Sequence, residues 1–317
     1  MSTRMAEDQH TDSFRHDALF YAGDGEFVAA CADFVRDGLR AGEPVLVAVV
    51  PRKIHMLTEE LGDDASRVLF VDMAKVGRNP ARIIPVWHDF ISSRPDGAAR
   101  VRGIGEPIWA ERTGEEIVEA QRHEALINLA FHDAEGWILC PYDTRSLSDP
   151  VLEEAYRSHP YIEVAGSRHA SMTYLSLNEV ARSLDRPLPP PAGDVETMLI
   201  EEGTVADARS FVQARGSLLG MPADRIDDLK LVATELAANS LVHGGGNGLL
   251  RFWSEGGDVV LEVIDGGLFD EPLAGRRAPN PLQEGGRGMW IVNQLCDLVQ
   301  IRTLVTGSVI RIRMSVV

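Results

Sequence analysis

Cysteine, lysine and aromatic residues are scarce in this 317-residue chain, and long apolar runs are missing. The three cysteines, Cys31, Cys140 and Cys296, are odd in number and far apart. Such usage gives neither a disulfide framework nor a CxxC metal site, and it suits a reducing compartment. No run approaches the roughly 20 apolar residues needed to span a bilayer. The first 16 residues are polar and charged, without the apolar stretch of a signal peptide. A cytoplasmic location with no membrane association is therefore expected. Lysine is confined to Lys53, Lys75 and Lys230, so nearly all positive charge is arginine. The formal net charge of −17 leaves no broad basic face for nucleic acid or for an anionic membrane. No Walker A sequence occurs, no GxGxxG follows a strand pattern, and no internal repeat is found.

What is present is an ordinary globular composition, 44% hydrophobic and 25% charged, long enough for two domains. The clearest break is Pro187-Leu-Pro189-Pro190-Pro191-Ala-Gly193, which can continue neither a helix nor a central strand. We place a linker at 183–194, one domain at 14–182 after a flexible N-terminus (1–13), and a second domain at 195–317.

The first half alternates apolar strand patterns (18–21, 45–50, 68–72, 101–104, 137–140) with helical ones (25–41, 52–61, 80–94, 114–134, 149–158). That alternation predicts an α/β domain with a mostly parallel sheet covered on both faces. Ligands in such sheets sit beyond the strand carboxyl ends, here near Asp72, Glu106 and Tyr142-Asp143. Cys140 reads as a buried strand-end residue rather than as half of a sensor pair with His16. His123 and His132 share one expected helix without metal-ligand spacing.

The second half predicts an α+β sandwich: strands at 199–202, 249–253 and 259–264, helices at 205–219, 224–243 and 289–299, and a terminal hairpin at 301–305 and 309–316. Its informative stretch is Glu235-Leu-Ala-Ala-Asn239-Ser-Leu-Val-His243-Gly. Residues at i, i+4 and i+8 share one helical face, so a carboxylate, a carboxamide and an imidazole stack together. Taken alone, Glu235 and Asn239 fit an exposed helix edge as well as a site. Asp265-Gly-Gly267 alone fits a turn. Gly285-Gly286-Arg287-Gly288-Met289 alone fits a loop, although backbone N–H groups at a helix start can also meet a phosphate.

These blocks occur in one order: Val232-Ala-Thr-Glu235-Leu-Ala-Ala-Asn239, Val263-Ile-Asp265-Gly-Gly267, Gly285-Gly-Arg-Gly288-Met289 and Gly307-Ser308-Val-Ile. Over roughly 195–317 the chain thereby resembles the GHKL (Bergerat) ATP-binding fold, and within it the anti-sigma-factor serine/threonine kinases. The resemblance implies ATP and Mg²⁺ as cofactors, with Asn239 as the Mg²⁺ ligand and Glu235 as the catalytic base. It implies Asp265 as the carboxylate that accepts from the adenine amino group, with Gly267 beside the base. Gly285, Gly286, Arg287, Gly288 and Met289 then cover the phosphates. Ser308 stands where the family usually has threonine and would reach adenine through water. His243 is expected to cap or pack at the helix end. Residues 268–284 are expected to form a mobile lid whose Arg276 and Arg277, with Arg287, meet phosphate charge. Two departures stand out: Phe269 occupies a position where many GHKL proteins have a further glycine, and the lid is rich in proline and arginine.

The first half, over roughly 14–165, resembles the MEDS sensory domain of dichloromethane-regulator-type sensors. The resemblance rests on His16-Asp-Ala-Leu-Phe-Tyr, Gly38-Leu-Arg-Ala-Gly42-Glu, Glu106, Cys140-Pro-Tyr142-Asp143 and His159-Pro160. Together the two resemblances imply a sensory regulator that phosphorylates an STAS-type anti-anti-sigma protein, sequesters a sigma factor, responds to an undefined signal at its first domain, and forms a homodimer. A nucleotide-gated binding protein without kinase turnover is the alternative. A histidine kinase is disfavoured, because no paired-helix segment with a phosphoacceptor histidine precedes Glu196; His169 is the nearest candidate.

Overall fold

The computed structural model describes residues 14–176, 179–180, 185–269, 271–279 and 286–316. Two sheets organise the chain. In the first, β1 (Phe14–Tyr21), β2 (Val45–Val49), β3 (Val68–Asp72), β4 (Val101–Gly105), β5 (Gly136–Asp143), β6 (Tyr161–Val164) and β7 (Ser167–Ala170) are arranged in the order β3-β2-β4-β5-β1-β6-β7. Every pairing is parallel except that of β7 with β6. The central strands are buried on both faces, and their side chains divide by alternation. Leu46, Ala48, Ala18, Phe20, Ile138 and Cys140 join one core. Val45, Val47, Val49, Leu19, Tyr21 and Leu139 join the other.

The helices α1 (Asp24–Arg40) and α2 (Pro51–Leu61) supply the second core, through residues such as Phe27, Val35 and Leu57. The short α3 (Met73–Val76) follows β3, its start capped by Asp72. The first core is closed by α4 (Ile83–Ser92), α5 (Gly114–Ala130) and α6 (Asp149–Ser158). The Trp87 ring of α4 packs against Gly103 and Gly105 of β4, and a Cβ on Gly103 would approach it to 2.4 Å. That contact explains glycine in a central strand, where it otherwise weakens packing. The expected helix at 114–134 ends at Ala130, four residues early. The β6–β7 hairpin was not anticipated; Ala165 and Gly166 both adopt positive φ in its two-residue turn, the conformation such tight hairpins require.

The second sheet is antiparallel throughout, in the order β11-β12-β10-β9-β8. Its strands are β8 (Glu196–Ile200), β9 (Gly248–Glu255), β10 (Asp258–Asp265), β11 (Leu298–Leu304) and β12 (Gly307–Ser315). Three helices, α7 (Val205–Leu218), α8 (Ala223–His243) and α9 (Gly288–Leu295), pack on one face over Leu250, Phe252, Leu261, Val263, Ile310 and Ile312. The sequence pattern carries a helix to Val299, but α9 stops at Leu295 and Leu298 already pairs with Arg313. Asp297 forces the exit: its carboxylate accepts from the backbone of Ser315 and from Arg225, each at 2.8 Å.

The opposite face of this sheet is polar yet buried, because the first half covers it. Arg302 pairs with Glu119 of α5 at 2.7 Å, and Arg313 with Glu115 at 2.7 Å. Arg302 and Arg311 also donate to the carbonyls of Arg186 and Pro189, holding the proline-rich connection against the strands. Near α9, Asn79 and Arg82 donate to the carbonyls of Asn293 and Cys296 at 2.9 and 3.0 Å.

Candidate functional site

Along α8, Leu229, Val232, Ala233, Leu236, Ala237 and Ser240 turn into the core. Glu235 and Asn239 fall on the flank of that stripe, one turn apart and half-buried. Gly288, which opens α9, faces both. A Cβ there would lie 2.8 Å from Glu235 Oε2 and 3.4 Å from the Asn239 amide atoms. Any side chain at this position would fill the space in front of the two polar groups. Gly286 and Arg287 are exposed just ahead, and Gly286 has φ 73°, a conformation that suits glycine. Met289 is buried and seats α9 in the core. Gly285 lies outside the described residues.

A second group gathers at the far end of α8. Asp265 closes β10, and its Oδ1 accepts from the Ser308 hydroxyl at 2.8 Å and from the Gly267 N–H at 3.0 Å. Ser308 thus holds the carboxylate directly, through the β10–β12 register that sets Asp265 opposite it. A Cβ on Gly244 would come within 2.5 Å of the Asp265 carboxyl carbon, and one on Gly267 within 2.5 Å of the His243 carbonyl oxygen. These close approaches bring the end of α8 against the Asp-Gly-Gly turn. The His243 side chain itself is exposed at the last position of the helix. Glu235 and His243 are eight residues apart, so the two groups stand about 12 Å apart along the helix axis.

The lid behaves differently from the expectation. Of residues 268–284, Asp270 and residues 280–284 lie outside the described set. The described part turns toward the first half. Leu273 packs on that half's hydrophobic core, and Arg277 donates to the Ala130 carbonyl at 3.2 Å. Arg276 is buried, and burial lowers its guanidinium to about 10 while Glu119 on α5 opposes that shift. The Asn293 amide donates to the Gly275 carbonyl at 2.9 Å, tying the same segment to α9. Arg276 and Arg277 therefore face the first half rather than the space before Glu235 and Asn239. An apolar anchor and a buried carboxylate outcompete solvent for them, a result no local pattern encodes.

In the first half the expected strand-end residues separate into two kinds. Asp72 caps α3, accepting from Ala74 N–H at 2.9 Å. Asp143 holds its loop, accepting from the N–H of Arg145 and the Ser146 hydroxyl. Both are structural. Glu106 is buried beyond β4, paired with Lys53 of α2 and accepting from the Tyr21 hydroxyl at 2.9 Å. Burial raises its carboxyl to about 7 even with Lys53 opposing the shift. Its Oε2 has no hydrogen-bond partner. Lys53 of α2 has no local mark of burial in the sequence; its partners Tyr21 and Glu106 come from β1 and the end of β4.

With this geometry in place, comparison with protein families separates the same two units. Residues 15–160 match the MEDS family, described as the methanogen/methylotroph, DcmR sensory domain. Residues 200–314 match the histidine kinase-like ATPase domain. The chain carries a MEDS sensory domain followed by a histidine kinase-like ATPase domain, and the antiparallel sheet with helices on one face accords with a GHKL-type ATPase. Comparison with curated proteins finds no match. No helix among the described residues is long and apolar enough to cross a membrane.

The residues present fit a Mg²⁺-bound nucleotide. Gly288 leaves room before a carboxylate and an amide oxygen, and Mg²⁺ takes oxygen donors and phosphate oxygens together. Asp265 offers a carboxylate already oriented by two donors. Such a nucleotide would bring a phosphoryl group for transfer.

Proposed function

We propose that the protein is a signal-regulated, ATP- and Mg²⁺-dependent serine/threonine kinase of an STAS-type anti-anti-sigma protein, and that it also binds the cognate sigma factor. The observation that carries the ATPase part is the convergence of Glu235, Asn239 and Gly288 along the C-terminal half of α8, with Asp265, Gly267 and Ser308 gathered just beyond its C-terminus. In this reading Asn239 holds Mg²⁺, Asp265 receives the adenine amino group, and Gly286 to Met289 cover the phosphates. Glu235 takes the proton of the acceptor hydroxyl as its oxygen bonds to the γ-phosphorus and ADP departs. The choice of a serine or threonine acceptor and of an STAS partner rests on the resemblance of the four ordered motifs.

Transfer from ATP to a cognate STAS protein tests the proposal, with Glu235→Ala and Asn239→Ala as controls. Transfer that survives both substitutions would sink it. A second reading is a nucleotide-gated binding protein without turnover. It is favoured by the docking of Leu273, Arg276 and Arg277 on the sensory half, which turns the two lid arginines away from Glu235 and Asn239. ATP binding without transfer to any STAS partner would select it.

A further inference from the structure

We propose that His16, Glu124, Cys140 and His159 form a binding site for a divalent metal ion inside the sensory domain, with zinc the ion that suits the donors best. The four residues come from β1, α5, β5 and the position just after α6, and none is more than 2% exposed. Their donor atoms all lie within 4.8 Å of one another. His16 Nε2 stands 2.9 Å from Glu124 Oε2 and 3.3 Å from Cys140 Sγ, and His159 Nε2 stands 3.2 Å from the same carboxylate oxygen. Zinc–ligand bonds of about 2.0–2.3 Å in a tetrahedron place neighbouring donors about 3.4 Å apart. The closest observed spacings, 2.9–3.3 Å, fall slightly short of that edge, and no pair exceeds 4.8 Å.

The second layer of contacts sets which ring nitrogens point inward. His159 Nδ1 lies 2.9 Å from the Ala155 carbonyl oxygen, so it carries the proton and donates there. His16 Nδ1 lies 3.1 Å from Asn128 Oδ1, and that amide is oriented by its own Nδ2, which donates to the Ser158 carbonyl at 2.8 Å. In the neutral tautomers these contacts select, both Nε2 atoms are the ring nitrogens turned to the cluster, His16 Nε2 toward Glu124 and Cys140 and His159 Nε2 toward Glu124. With both rings neutral, the Glu124 oxygens and His159 Nε2 are acceptors crowded at 2.9–3.2 Å, and only the Cys140 thiol or a ring proton could serve them. A buried carboxylate in that condition is costly. A bound cation resolves it, and imidazoles fixed by outer hydrogen bonds are the usual preparation for one.

The donor set names the ion. Two imidazoles, a thiol sulfur and one carboxylate disfavour Mg²⁺ and Ca²⁺, which require oxygen donors. Zinc accepts nitrogen, sulfur and oxygen in four-coordinate geometry. As the metal–sulfur bond forms, the Cys140 proton leaves to solvent. One thiolate and one carboxylate then balance the dication, and the neutral centre suits its surroundings of Phe14, Tyr142 and the β1–β5 core. Four protein donors leave no open position, so the site is structural rather than hydrolytic. Glu124 shares α5 with Glu115 and Glu119, which pair with Arg313 and Arg302 of the ATPase sheet. The ion would therefore anchor the helix that joins the two domains.

The test uses the full-length protein. Metal content is measured after purification without added chelator, and Co²⁺ is titrated into protein stripped with EDTA. The expected result is about one zinc per chain and a cobalt–thiolate charge-transfer band. Cys140→Ser should abolish that band, and Glu124→Gln should weaken Co²⁺ binding at least tenfold. EDTA should lower the melting temperature of the wild type and leave that of Cys140→Ser unmoved, a readout that holds even if the variant is less stable. Folded wild-type protein with neither metal nor a cobalt–thiolate band would overturn the proposal. So would metal bound equally well by both variants, which would place the ion elsewhere.

Discussion

The two domains handle their polar residues in opposite ways. In the ATPase domain Glu235, Asn239 and Asp265 stand half-buried along the C-terminal half of one helix and beside its end, with glycines packed close against them. In the sensory domain His16, Glu124, Glu106 and His159 lie fully inside, enclosed by strands and helices. The difference teaches what each set can do. Groups that meet a diffusing substrate must keep a face toward solvent, whereas groups sealed from water must be closed by a partner, an ion or a proton. A rim site is suited to turnover, and a sealed cluster to holding shape or registering a change of state.

The strongest way to break this comparison is Glu235→Ala. Loss of a general base should reduce phosphotransfer by about 10²–10⁴-fold while ATP affinity, measured by calorimetry, stays within a few-fold. An equal loss of ATP binding would make Glu235 a part of the nucleotide cradle. Next comes the surface where the two styles meet. Arg302 and Glu119 are both sealed, so Arg302→Met removes the nearest partner of a buried carboxylate, leaving Arg122 at 3.8 Å, and should cost about 3 kcal/mol in denaturant unfolding. The double variant Arg302→Met with Glu119→Gln should recover part of that loss, and no recovery would mean the arginine acts through packing alone.

A pH profile sharpens the sealed side. Glu106 has its carboxyl raised to about 7 in the folded domain, so the folded state holds a proton that the unfolded chain releases near its ordinary value of 4.5. The stabilisation is complete below about 4.5 and is lost as pH rises toward 7, by about 3 kcal/mol at most. Glu106→Gln should flatten that slope; an unchanged slope would assign it to other groups. The smallest effect is expected at the rim. Ser308→Ala removes one donor to Asp265 and should weaken ATP binding by about 1 kcal/mol, roughly five- to tenfold. Asp265→Ala should weaken it more, and a reversed order would make Ser308 the principal adenine contact.

Much of the arrangement proposed as the nucleotide site is legible in the sequence because its parts are local. Glu235 and Asn239 are four residues apart on a helix whose apolar period is plain, and Asp265 ends an alternating strand before two glycines. Asp265 meets Ser308 through strand register, whereas Gly288 reaches Glu235 and Asn239 only through the packing of α9 on α8. The end of α9 was misjudged for a related reason. The apolar residues at 292, 295, 296, 298 and 299 fit a helix, and only the bonds from Arg225 and Ser315 to Asp297 reveal the turn into β11. The direction of Arg276 and Arg277 was equally hidden, since their partners lie well over a hundred residues earlier in the chain.

What the sequence by itself determined is the pair of architectures: continuous apolar strands between helices make a parallel sheet, and alternating strands beside one amphipathic helix make the sandwich. It also placed the motif residues of the ATPase rim on their elements. Tertiary structure alone decided that α5 covers the polar face of the second sheet, that the lid arginines dock on the sensory half, and that His16, Glu124, Cys140 and His159 converge. The reason is physical. Periodicity reports which face of an element is buried, but a buried polar group is satisfied by whatever the fold brings opposite it. That partner is set by the closure of the whole chain.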